Sequence, residues 1–156
     1  MEICFFRHGE AEPAGMTATD AERQLTETGR QDTRLVAEML RRTGLSFTRL
    51  YSSPLIRARQ TADILGGIFD LSAEVTERLR AGCGLGDVQQ LLADQRQGHF
   101  LLVGHEPDCG QIVSQLIGGG RLRMATSGIA CVQTDRVEPG AGRLMWLVTP
   151  EVAPAG

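Results

Sequence analysis

The first apolar run, Ile3-Cys4-Phe5-Phe6, has no polar interruption and stops at the charged pair Arg7-His8. A run that does not alternate is buried on both faces, which predicts a central strand of a largely parallel sheet. Phe100-Leu101-Leu102-Val103 has the same form and stops at Gly104-His105. Between the two, Leu35, Val36, Met39 and Leu40 recur at helical spacing, with Thr26 suited to the N-cap and Gly44 to the stop. Arg49 to Ser52 predicts a short strand. Ser53-Pro54 then reads as an N-cap and first-turn proline, opening a helix that runs through Leu65 and ends before Gly66-Gly67. Glu106-Pro107 opens another helix, carrying Ile112, Val113, Leu116 and Ile117. Near the end, 129–134 and 144–148 flank the Pro139-Gly140 turn region, which predicts a closing pair of strands.

Strands alternating with helices predict an α/β layered sandwich. With 156 residues, 42% of them hydrophobic and 22% charged, the chain suits one domain over 1–150, with 151–156 as a flexible tail. It contains no repeat or low-complexity segment. Cys4, Cys83, Cys109 and Cys131 lie far apart without CxxC spacing, so reduced thiols are expected rather than a zinc knuckle or disulfide scaffold. No basic leader and no run of membrane-spanning length occurs, which predicts a soluble, cytoplasmic protein, expected to be monomeric.

Charge narrows the partners. The formal net charge of -3 leaves no broad basic field for nucleic acid and no polybasic run for an anionic membrane. All 16 basic residues are Arg, which excludes Schiff-base chemistry and a Walker lysine.

In an open α/β sheet, ligands gather beyond the carboxyl ends of the strands, where helix N-termini also point their amides. His8, Arg57 and His105 are all predicted to arrive there. A phosphoryl dianion needs cations and amide donors, which Arg7, Arg57 and the backbone amide at Glu106, where a helix begins, supply without a metal. A histidine of ordinary pKa, about 6.5, is largely neutral near pH 7, and neighbouring arginines favour the neutral, nucleophilic imidazole further. One histidine can take the phosphoryl group while the other donates to its oxygens. The residues alone leave open which does which. No HxH, HExxH or CxxC spacing is present and the arginines repel a cation, so neither a metal nor a cofactor is expected.

Four segments in order then carry a resemblance: Phe6-Arg7-His8-Gly9-Glu10-Ala11, Arg23 to Gly29, Ser52 to Ala62 with Arg57 inside it, and Val103-Gly104-His105-Glu106-Pro107. Together they resemble the histidine phosphatase superfamily over nearly the whole chain, in particular its short phosphohistidine phosphatase branch of SixA type. The resemblance implies a phosphoglycerate mutase-like fold, a three-layer α/β/α sandwich with a mostly parallel central sheet. It implies transient phosphorylation of His8, with Arg7 and Arg57 on the phosphoryl oxygens, His105 completing the cradle and Arg23 as an additional phosphate-side arginine. Glu77, in Val75-Thr76-Glu77-Arg78, is similar in pattern to the acidic proton donor of larger members, and read by itself is equally a strand-end surface charge.

Only about ten residues separate the predicted Arg57 helix from Val75, which leaves little room for a substrate lid. The expected substrate is therefore phosphohistidine on a protein, such as a histidine phosphotransfer domain or phosphocarrier. The alternatives are a small-molecule phosphomonoesterase of the same superfamily and a non-catalytic module that binds phosphate or phosphoprotein. His99 reads as a strand-edge residue, and Glu10 as a loop charge.

Overall fold

Burial on both faces, predicted for the two uninterrupted apolar runs, is met by layers of helices on either side of one sheet. The computed structural model describes residues 1–15 and 19–154. Its elements are β1 (Glu2–Arg7), α1 (Glu27–Arg42), β2 (Arg49–Ser52), α2 (Ile56–Phe69), β3 (Ala73–Val75), α3 (Leu85–Leu91), β4 (His99–Gly104), α4 (Asp108–Leu116), β5 (Ile129–Thr134) and β6 (Gly142–Val148). The strand order is β3-β2-β4-β1-β5-β6. The first four are mutually parallel, while β5 runs antiparallel to β1 and β6 to β5. Alternate residues of β1 serve opposite layers: Ile3 and Phe5 pack with Ile112, Val113 and Leu116 of α4, Cys4 and Phe6 with Val36 and Leu40 of α1 and Leu65 of α2. Each phenylalanine so buried contributes about 1.5–3 kcal/mol relative to exposure. The fold is the expected three-layer sandwich with a mostly parallel central sheet.

α1 begins as predicted, with the Thr26 hydroxyl accepting the Gly29 amide at 3.0 Å. It ends where Gly44 takes a left-handed φ of +83°, a conformation that costs glycine little. Two expectations are corrected. Helix α2 starts at Ile56 rather than beside Ser53, because the Ser53 hydroxyl, besides accepting the Leu55 amide at 3.3 Å, is engaged by a distant histidine. The same helix runs through Gly66-Gly67 to Phe69. Gly66 is not a stop: it lets the returning Leu71 carbonyl lie where a side chain would collide. Within the expected tail, a 3-10 turn over Pro150–Val152 precedes Ala153, which packs in the core on the α1 side. Residues 155 and 156 of the expected tail lie outside the described residues. α3 has no counterpart among the predicted elements.

The register brings the chemistry to one level. Arg7 pairs with Gly104 and Ser52 with Val103 across neighbouring parallel strands, so His8, Ser53 and His105 step off β1, β2 and β4 together. Their departures are fixed by backbone bonds from His8 N to Gly104 O and from Ser53 N to Val103 O, both 3.0 Å.

Candidate active site

His8 is 7% exposed, at the carboxyl end of a strand buried on both faces. Its Nδ1 lies 2.7 Å from the Gly9 carbonyl oxygen. A carbonyl only accepts, so the proton is assigned to Nδ1 and the lone pair to Nε2. The Arg57 Nε donates toward that Nε2 at 3.3 Å. Gly9 makes this turn possible: a Cβ there would lie 2.6 Å from the Gly29 carbonyl oxygen and 2.9 Å from the Thr33 hydroxyl. Its amide donates to the Thr61 hydroxyl at 3.1 Å, and Thr61 donates to the Arg57 carbonyl at 2.8 Å. The turn that bears His8 and the helix that bears Arg57 are thereby fastened to each other.

Two buried imidazoles and three arginines shape the electrostatics. Burial, opposed by the Gly9 hydrogen bond and reinforced by Arg57, Arg7 and Arg23, pushes His8 down to about 4. His105 is pushed down to about 3 by burial, His8 and Arg57, while Asp20 pulls it up. Both rings, 5.2 Å apart and tilted by 59°, are therefore neutral at pH 7 before an anion binds.

His105 Nε2 and the Ser53 hydroxyl are 2.7 Å apart. Ser53 Oγ also accepts the Leu55 amide; with its own hydrogen assigned toward Nε2, the imidazole proton sits on Nδ1. Among the described residues only two buried side-chain nitrogens lack a partner, His105 Nδ1 and Arg7 Nε. Leaving such a donor unpaired costs about 1–3 kcal/mol. Both belong to this cluster, where an anion would satisfy them. Arg7 is otherwise held by donation from Nη1 to the Met124 carbonyl at 2.8 Å.

Glu106 serves the site through its carboxylate, a role the sequence does not announce. It accepts the Gly110 amide at 2.9 Å and the Met124 amide at 2.6 Å, so one residue starts α4 and fixes the loop that carries the carbonyl on Arg7. Its negative charge also opposes the downward push of burial on Arg7. Ser53, which orients His105, was legible only as a helix cap. Asp20 carries no signal in the sequence, yet it touches both Arg57 and Arg23. The structure thus brings Arg7, His8, Arg57 and His105 together and holds Arg23 at their rim. Glu77 opens a 3-10 turn just past β3, beyond β2 on the same sheet edge, and its carbonyl accepts from Arg80. No hydrogen bond among the described residues joins it to the histidines. Among the described residues no three His, Cys, Asp or Glu side chains group as metal ligands.

The model of the histidine phosphatase superfamily (branch 1) matches residues 3–100. Phosphohistidine phosphatase SixA of Escherichia coli is 34% identical over 96% of this chain and 94% of its own length. A SixA homolog from Haemophilus influenzae is 31% identical over 76% of this chain and 78% of its own. The solved structure of the protein histidine phosphatase SixA complexed with tungstate superposes with a TM-score of 0.87 at 31% identity, covering 96% of this chain and 97% of that one. With the family model spanning most of the chain and relatives aligned nearly end to end, this protein belongs to the histidine phosphatase superfamily, in its SixA-type branch.

Proposed function

We propose that this protein is a phosphohistidine phosphatase that works through a phospho-His8 intermediate and needs no metal. The observation that carries the reading is the pairing of a lone-pair-bearing His8 Nε2 with two buried nitrogens that have no protein partner, Arg7 Nε and His105 Nδ1. Attack by Nε2 forms a phosphorus–nitrogen bond as the bond to the substrate imidazole breaks, and the leaving nitrogen is protonated from solvent. Water then attacks phosphorus, regenerating His8 and releasing inorganic phosphate. Arg7, Arg57, His105, the rim arginine Arg23 and the Glu106 amide stabilise charge that grows on the phosphoryl oxygens, and most of the rate follows from positioning and electrostatics.

Protein-borne phosphohistidine is favoured by three features. Relatives of nearly the same length carry that activity in their names. Only residues 70–72 connect α2 to β3, leaving no helical insertion there to cover a small substrate. Beside the cradle, between α4 and the 119–123 loop, runs a groove of about 530 Å³ bearing Arg121 and Arg123, a place for a phosphotransfer domain or phosphocarrier to rest. We place the reaction in the cytoplasm and assign it to a monomer, since one chain supplies every group invoked; no helix of the described residues is long and apolar enough to cross a membrane.

The test compares kcat/KM for a phosphohistidine-bearing phosphotransfer protein with that for sugar and nucleotide monophosphates. At least a hundredfold preference for the protein is expected. The opposite preference would instead favour a small-ester phosphatase with Glu77 protonating the alkoxide, and phosphate binding without turnover of either class would favour a recognition module.

A further inference from the structure

We infer that Asp20 is a built-in anion that occupies the outer half of the phosphoryl cradle and must be displaced by the substrate. Asp20 Oδ1 lies 3.0 Å from Arg23 Nη1 and Oδ2 lies 3.2 Å from Arg57 Nη2. One carboxylate oxygen on each guanidinium is the arrangement two phosphoryl oxygens would take across the same pair. The Asp20 backbone carbonyl takes Arg57 Nη1 as well, at 2.8 Å. With Nε committed to His8, every nitrogen of Arg57 is engaged by protein. A dianion approaching Arg57 therefore meets a carboxylate already there, and two anions on one guanidinium repel.

The turn that presents Asp20 is ordered by itself rather than by the core. Glu22 Oε2 accepts the Thr19 amide at 2.8 Å and the Thr19 hydroxyl at 2.9 Å, closing a capped 3-10 turn over Asp20–Glu22 in which no residue is buried. Arg57, in contrast, has a side chain only 6% exposed, against 63% for Asp20. Exchange thus moves the exposed partner and leaves the buried one in place. Asp20 already acts on the site as a bound anion would: it raises the tendency of His105 to take a proton, against the arginines. Arg23 and Arg57 in turn hold the Asp20 carboxyl below its ordinary range, Arg23 contributing most. The outer arginines are kept oriented between turnovers, and weak anions are excluded unless they outcompete a tethered carboxylate.

This inference rests on the phosphatase reading, and the test separates the two by measuring binding without turnover. Inorganic phosphate is titrated into the full chain and into Asp20→Asn and Asp20→Ala by calorimetry, with thermal unfolding as a check on folding. Loss of the carboxylate should tighten phosphate about three- to tenfold, the scale of one exposed charge-assisted contact, and should lower KM for the phosphohistidine protein. Unchanged or weaker phosphate binding in a folded Asp20→Asn protein would overturn the inference and make Asp20 a positioning residue for the arginines. Tighter phosphate binding without phosphohistidine hydrolysis by the parent would leave the inference standing and remove the assigned activity.

Discussion

The two halves of the cradle are built by different physics. The inner half, Arg7, His8, Arg57 and His105, hangs from the ends of buried strands and the start of α2. Its polar atoms are fixed by Gly9, Thr61, Ser53, Met124 and Glu106 from within the fold. The outer half, Asp20 and Arg23, sits on an exposed capped turn held mainly to itself and to Arg57. Burial gives the inner half neutral histidines and unpaired donors before any ligand arrives. The outer half, in water, can afford a removable counter-ion. Preorganisation belongs to the buried side of such a site, and adjustable affinity to its rim.

Substitution of one arginine from each half should expose this division. Arg57→Ala removes the contact to His8 Nε2 together with a buried cation, and kcat should fall about 10²- to 10³-fold, as for loss of one oxyanion-stabilising donor. Arg23→Ala, on a side chain 25% exposed, should act mainly on KM and cost about tenfold or less. Steady-state kinetics on a phosphohistidine protein checks both. Equal losses in kcat would erase the distinction between the halves.

Acid should weaken the inner half first. Both histidines have folded-state pKa values, about 4 and about 3, below the unfolded value of about 6.5. As pH falls below about 6.5 the unfolded chain takes up protons that the folded chain refuses until near 4 at His8 and near 3 at His105, so stability declines over that window and the histidine contribution levels off below it. The slope approaches about 1.4 kcal/mol per pH unit for each histidine. Urea unfolding between pH 7 and 5 should show this decline, smaller in His105→Gln and smaller again with inorganic phosphate present. A flat profile would mean that the histidines are not held neutral by burial.

The same division governs how much the sequence discloses. His8 and His105 were legible because each follows an apolar run with no polar break, and Arg57 because Ser53-Pro54 announces a helix just before it. Ser53 itself looked like a cap, since its bond to His105 spans 52 positions and leaves no local trace. Glu106 was read through its backbone for the same reason: its acceptor role toward Met124 depends on how the 118–128 loop returns. Gly66-Gly67 looked like a stop because nothing nearby reveals the Leu71 carbonyl that Gly66 accommodates. α3 is seven residues long with only Leu85 and Val88 buried, too little for a helical period. Asp20 had no signal at all, because an exposed acid in a polar stretch acquires meaning only from the two arginines the fold sets beside it.

The central claim is that His8 Nε2 captures the phosphoryl group. Rapid acid-free quench of a single turnover, followed by peptide mass spectrometry under alkaline conditions, tests it most directly. The account predicts a phosphate on the imidazole of His8 that forms and decays at rates compatible with kcat, and a fall in turnover of at least about 10⁴-fold in His8→Ala. Turnover at the parental rate in His8→Ala, or a phosphoryl group trapped on His105 instead, would contradict it.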